Sequence, residues 1–144
     1  MLILHGYGSN RADLMSVART GGRLCRTPCS LAPNASERCG IEGSGYQWWG
    51  LQSLIPQALA AGAVAAAPAI EAFTDRKLAQ YGLTEAALAT VGSSQGAMIA
   101  LHVGLRRPRQ IACITAYSGM LTAADLSHAS ITNLRYCRST APRT

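Results

Sequence analysis

The sequence predicts an α/β fold, a parallel sheet with helices on both faces. Apolar runs of strand length recur along the chain and are separated by stretches with helical spacing. The strand-like runs stop at clusters of glycine, serine or asparagine, where the backbone can turn. At the centre, Ala87-Leu88-Ala89-Thr90-Val91 breaks at Gly92-Ser93-Ser94-Gln95-Gly96, and apolar residues resume with helical spacing at Met98, Leu101 and Leu105. That order is strand, sharp turn, helix.

The first element is Met1-Leu2-Ile3-Leu4, fully apolar as a central parallel strand requires. It ends at His5-Gly6-Tyr7-Gly8-Ser9-Asn10. A central strand needs neighbours, so a chain that opens on one is expected to begin late in its domain. Residues 11–20 read as a helix, with Asn10 or Asp13 near its start and Gly21-Gly22 as its stop. Ser30-Leu31-Ala32-Pro33-Asn34-Ala35 reads as a brief strand. Residues 36–49 have the composition of a functional loop and carry Trp48 and Trp49 side by side. Two readings stay open for these rings: a plug in the core, or an apolar wall for a substrate chain.

Residues 51–81 are expected to be helical, broken at Pro68, with Ile70, Phe73, Leu78 and Tyr81 as the core stripe and Gly82 as the stop. Within this stretch, residues 54–73 are apolar enough to suggest a membrane span. They are largely alanine, however, and carry Gln57, Glu71 and two prolines, so buried helices are expected instead. Pro108 ends the central helix after Arg106 and Arg107, cations suited to a helix C-terminus. The following run, 111–117, is a buried strand with Cys113 as a core residue, and it ends at Ser118-Gly119-Met120-Leu121.

Composition narrows the function. The chain has 144 residues, one domain at most, with a net charge of +6. Its arginines are scattered and not interleaved with aromatics, which argues for solvated positions and against nucleic-acid binding. Five cysteines, none in a Cys-x-x-Cys pair, indicate neither a zinc site nor a disulfide framework. No basic leader precedes the first apolar run, and a cytoplasmic location without integral membrane contact is expected.

Ser94 stands at the middle of Gly-x-Ser-x-Gly. In a nucleophile elbow the serine is held in a strained conformation, so the residues two before and two after must be small. Gly92 and Gly96 meet that need. The turn lifts the hydroxyl above the sheet edge, and the next helix points its N-terminal amides at the reacting centre. Gln95 would offer its backbone N–H as one oxyanion donor. A chain rich in glycine and serine also forms this pattern by accident, but the flanking strand and helix patterns favour the elbow.

Three stretches together resemble the phospholipase/carboxylesterase (acyl-protein-thioesterase-like) family of α/β hydrolases. They are Leu4-His5-Gly6-Tyr7-Gly8-Ser9-Asn10, then Pro33-Asn34-Ala35 leading to Gly45-Tyr46-Gln47-Trp48-Trp49, and Val91-Gly92-Ser93-Ser94-Gln95-Gly96-Ala97-Met98. Tyr117-Ser118-Gly119-Met120-Leu121 is similar to the family's strand after the elbow. The resemblance spans roughly residues 2–122. It implies hydrolysis of carboxylic esters or thioesters through an acyl-serine, without metal or organic cofactor. Ser94 would be the nucleophile and the N–H groups of Tyr7 and Gln95 the oxyanion hole. Trp48, Trp49 and Met98 are the candidate substrate-binding residues.

That chemistry also needs an acid and a histidine downstream of the serine. The family's His-Gly-x-x-Asp strand end and C-terminal histidine are not found in this sequence. Asp125 and His128 have the right order but stand only three residues apart. His102 lies roughly 12 Å along the helix axis from Ser94 and reads as a helix-face residue, and His5 as structural. The expected organisation is a partial α/β-hydrolase domain over 1–129, incomplete at its C-terminal strands, and a divergent or disordered tail over 130–144. Reading each codon's third base with the next two, permitted codons for the tail allow Lys-Pro-Pro-Ile-Leu-Pro-Ile-His-Gly-Ala-Pro-Asp. A change of frame shortly before Thr132 is therefore expected. Two functional readings follow: a serine esterase that is weak or inactive in this form, or a non-catalytic fragment that binds acyl chains or a partner. A third is a rearranged base drawn from Asp125 and His128.

Overall fold

The computed structural model describes residues 1–15, 29–40 and 45–122, together with the backbone of 136–139. Its main sheet has four parallel strands: β1 (Leu2–Leu4), β4 (Ala89–Ser93), β5 (Cys113–Tyr117) and β6 (Tyr136–Ser139), in the order β1-β4-β5-β6. Leu31 extends the sheet beyond β1 through a single parallel bridge to Leu2. The run 30–35 therefore contributes one pairing, not a full strand. Two short antiparallel strands, β2 (Glu37–Arg38) and β3 (Tyr46–Gln47), form a separate ribbon within the region read as a loop.

Register decides where a site can form. Leu4 pairs with Gly92 and Ser93 with Tyr117, so the carboxyl ends of β1, β4 and β5 share one edge. In open α/β sheets that edge is where ligands bind. Residues 5–9, Ser94 and Ser118 all leave from it.

Helix α1 (Pro56–Gln80) begins later than expected, at Pro56, with Ile55 in the extended conformation before it. Proline suits the first helical position, where its missing N–H removes nothing. The helix also runs unbroken through Pro68, against expectation. Pro68 lies on the exposed side, and so does Val64, whose carbonyl has lost its partner. Water can take that carbonyl, while Ala63, Ala66, Ala67 and Ile70 hold the opposite side in the core. This alanine-rich line, extended by Leu59 and Thr74, is the true core stripe. Of the residues expected there, Ile70 is buried, Phe73 and Leu78 are partly buried, and Tyr81 is exposed.

Gly82 ends α1 as anticipated. Its φ of +62° is left-handed, and it donates to the Ala79 carbonyl while Leu83 donates to that of Leu78. These paired bonds form a Schellman stop. By length and composition α1 could cross a bilayer, but its apolar line lies against α2 (Gln95–Leu105). Helix α2 is buried on every side except at Met98, which is half-buried.

Three further expectations change. Arg107 is not on a solvated face: it is 6% exposed, and its guanidinium donates to Asp75 at 2.6 Å and Glu85 at 3.1 Å. It thereby ties α1 to the 3-10 turn Glu85–Ala87. Cys113 is half-buried, and the β5 core is supplied by Ile114 and Ala116. Residues 136–139 fall in the stretch expected to be a tail, yet they pair with β5. Parallel pairing is made by backbone groups and does not require the apolar periodicity that the sequence lacks there. The second part of the helix expected over 11–20, its Gly21-Gly22 stop, and the rest of the tail lie outside the described residues.

The indole of Trp49 packs onto Gly62 of α1 so closely that a Cβ at position 62 would run into the ring. Glycine to alanine inside a helix ordinarily gains about 1 kcal/mol. Here overpacking, at about 1–3 kcal/mol, should outweigh that gain. Gly62→Ala is expected to lower the thermal midpoint by several degrees. An unchanged or raised midpoint in a melting experiment would contradict the packing described.

Candidate active site

Ser94 occupies the junction of β4 and α2 with φ 52° and ψ −118°. Left-handed φ at a non-glycine residue is costly and persists only where the surroundings enforce it. They do so on every side. The Ser94 N–H donates to the Tyr117 carbonyl at 2.9 Å, and the Ser94 carbonyl accepts from Ala97 at 3.0 Å and Met98 at 3.2 Å. A Cβ at Gly92 would strike the backbone of Gly96 and Ala97, and one at Gly96 would strike the carbonyls of Leu4 and His5. Gly119 packs on Ala97 in the same way. The side chain of Ser94 is exposed at the end of this cramped bend.

The loop after β1 lies next to it. A Cβ at Gly6 would stand 3.4 Å from Ser94 Cβ and 3.4 Å from the Ser93 carbonyl oxygen. This loop is braced from the far side by β3, through Gly8 N–H to the Tyr46 carbonyl at 3.0 Å and Tyr46 N–H to the Ser9 carbonyl at 2.8 Å. Among the described residues, the backbone N–H groups of Tyr7 and Gln95 have no hydrogen-bond acceptor. For Gln95 that follows from its place in the first turn of α2, where N–H groups lack intrahelical partners. An open pocket of about 270 Å³ adjoins Tyr7, lined also by Gly40, Gln47, Gly50, Leu51 and Gln52. Its lining does not include Ser94.

The tryptophans take the core position of the two readings. Trp48 is 3% and Trp49 7% exposed, and both belong to the core. The sequence could not separate the two readings, because adjacent side chains on a short irregular stretch have no periodicity to orient them. Trp48 stacks on His5, with ring centroids 5.1 Å apart, and its indole N–H donates to the His5 carbonyl at 2.8 Å. The Trp49 indole N–H is buried without a partner. Met98, the third residue expected to touch substrate, is half-buried and packs against the core.

Gln95 does more than its backbone role suggested. Its side chain is 1% exposed; Oε1 accepts from the Trp48 N–H at 2.9 Å and Nε2 donates to the Trp49 carbonyl at 2.8 Å. A glutamine at the head of an otherwise apolar helix was the available signal, since a buried amide must find partners. Asn34 and Ala35 also connect here. Asn34 Oδ1 accepts the Arg11 N–H at 2.8 Å, where Asn10 caps the helical residues 11–15. The Ala35 N–H donates to His5 Nε2 at 3.0 Å.

His5 is structural, as expected. Because Nε2 accepts from Ala35, the proton sits on Nδ1, which donates to the Gly6 carbonyl at 2.7 Å. Burial pushes its pKa down. His102 is also buried on α2, its pKa lowered by burial and then by the Arg106 charge. Arg106 itself donates to the His102 carbonyl at 3.1 Å, as befits a cation at the end of a helix. No hydrogen bond joins Ser94 Oγ to a histidine among the described residues; Asp125 and His128 lie outside them.

A parallel sheet whose central strand turns through a left-handed serine into a buried helix defines an α/β hydrolase architecture. The sequence model of the phospholipase/carboxylesterase family matches residues 1–139, and the chain belongs to that family. Esterase PE8 is similar at 40% identity with a TM-score of 0.78, over 85% of this chain and 58% of that one. SOBER1 from Arabidopsis thaliana shares the fold at 20% identity and a TM-score of 0.69, over 85% of this chain and 62% of that one. The chain thus spans about three-fifths of the length of these two structures.

The histidines set a pH dependence. Both folded-state pKa values lie below the ordinary 6.5, so near and below that pH the unfolded chain binds more protons. The stability they contribute is present above about pH 6.5 and is lost as pH falls through the folded values. Thermal midpoints should fall from pH 7.5 to pH 5.5, less steeply in His102→Leu. A flat profile would refute the burial of neutral imidazoles.

Proposed function

We propose that this chain is a serine hydrolase of carboxylic esters or thioesters, acting through an acyl-serine intermediate at Ser94. The observation that carries the reading is the strained, exposed serine set between two glycines, Gly96 pressed against the carbonyls ending β1 and Gly92 against the backbone of Gly96 and Ala97. The unpartnered N–H groups of Tyr7 and Gln95 would receive the developing oxyanion, with the positive end of α2 adding to the field. Such donors are each worth about 10²–10³ in rate where they are tested one at a time. The 40% identity to an esterase supports an ester as the substrate class. The substrate is read as a small-molecule acyl ester or thioester, with no nucleic acid and no integral membrane contact, in the cytoplasm. The packing of α1 on α2 supports a core role for that helix.

Turnover is proposed to be weak in this form. Both nitrogens of His5 are engaged and His102 is buried in α2, so neither is placed to take the serine proton. Oxyanion donors and binding alone still leave roughly 10³–10⁴ over the uncatalysed rate. The same observation favours the second reading, a non-catalytic acyl-binding or interaction fragment.

Hydrolysis of p-nitrophenyl butyrate by the chain and by Ser94→Ala separates the two. The hydrolase reading expects the alanine variant to fall below the wild-type rate, to the level that oxyanion donors and binding sustain without a nucleophile; equal rates in both proteins would exclude acyl-serine chemistry. Loss of the activity in His128→Gln would assign the base to that residue.

A further inference from the structure

The two candidate oxyanion donors belong to different segments, β1's exit loop and the start of α2, and something must set the distance between them. We infer that Trp48 is the positioning residue that couples these donors, an inference that rests on the hydrolase reading for its catalytic consequence but not for its geometry.

The coupling runs through planar trans peptides, in which the direction of the carbonyl fixes that of the N–H on the opposite side. The Tyr7 N–H shares its peptide with the Gly6 carbonyl, and that carbonyl accepts from His5 Nδ1 at 2.7 Å. The His5 ring, together with the Ser9 N–H that shares this acceptor at 3.3 Å, therefore aims the Tyr7 N–H. Three contacts hold that ring and its backbone: the Ala35 N–H on Nε2, the stacked Trp48 ring, and the Trp48 indole N–H on the His5 carbonyl. On the other side, the Gln95 N–H shares its peptide with the Ser94 carbonyl, which Ala97 and Met98 hold from below. The Gln95 side chain reaches back to the Trp48 backbone N–H at 2.9 Å. Trp48 thus touches both arms, one through its indole and the other through its main chain. His5, Ala35, Trp48 and Gln95 are buried, so the bonds among them are shielded from competing water.

Trp49 supplies the contrast. It is the same residue type, adjacent and equally buried, but its indole N–H has no partner. Trp48→Phe and Trp49→Phe each delete one indole N–H and keep an aromatic ring. Only the first deletes a bond to the donor loop.

The test uses the whole chain labelled with ¹⁵N and the amide resonances of Tyr7 and Gln95. Trp48→Phe is expected to shift both resonances together, whereas Trp49→Phe leaves both near their original positions. In the p-nitrophenyl butyrate assay Trp48→Phe should lower kcat about tenfold or more with KM changed less than twofold, since misplacement by about 1 Å costs up to 10²-fold. Gln95→Met gives a second route should the first variant fail to fold. It removes the side-chain bonds but keeps the backbone donor, and it should shift the Tyr7 amide although residue 95's side chain bonds only to Trp48 and Trp49. Unmoved amides in a folded Trp48→Phe or Gln95→Met, or equal shifts in the two phenylalanine variants, would overturn the coupling. Equal hydrolysis by wild type and Ser94→Ala would instead remove the hydrolase reading, leaving the amide result to judge the geometry by itself.

Discussion

The approach of Gly96 to the carbonyl oxygens of Leu4 and His5 is the constraint on which the rest of this molecule depends. It brings the first turn of α2 against the carboxyl end of β1, closer than any side chain at position 96 would allow. From this contact follow the left-handed φ of Ser94, the outward direction of its hydroxyl, and the nearness of the Gly6–Tyr7 peptide. Gly92 meets the same requirement from the strand side, where the chain folds back on Gly96. The strain at Ser94 is offset by hydrogen bonds to its own peptide groups and by the burial of α2 around it.

Around that contact the polar groups form a closed set. Gln95, Trp48, His5 and Ala35 satisfy one another inside the core, with the Asn34 side chain fastening the adjoining turn to the helical residues 11–15. Such buried networks are costly when incomplete and rigid when complete. The unpartnered polar atoms nearby, including the Trp49 indole nitrogen and His102 Nδ1, belong to side chains outside this set. A rigid frame beneath an exposed serine is what an acyl-transfer site requires, since its donors must be aimed before charge develops.

Much of this was legible in the residues. The strand-turn-helix at Ser94, the strand at Leu2–Leu4, the stop at Gly82 and the structural role of His5 were each visible because a local rule applied: apolar run length, small residues at fixed offsets, a left-handed helix end. The misreadings share a cause as well. Pro68 within α1 and the burial of Arg107 each depend on partners distant in the chain, and so does the inward turn of both tryptophans, which the residues had left open. Local propensity is silent about Val64 facing water, about Asp75 and Glu85 converging on one guanidinium, and about Gly62 offering a flat seat to an indole. The pairing of residues 136–139 was likewise invisible, because parallel pairing is made by backbone groups and leaves little trace in side-chain pattern.

From the sequence by itself came the class of the fold and the position of the serine, because glycine spacing and apolar periodicity are short-range properties that a chain carries before it folds. The family came from the resemblance of its motifs. Only the tertiary structure decided which buried polar groups meet. Hydrogen bonds between Trp48 and Gln95, or between Ala35 and His5, join residues 47 and 30 positions apart, and such partners exist only once the sheet and α2 have closed on one another.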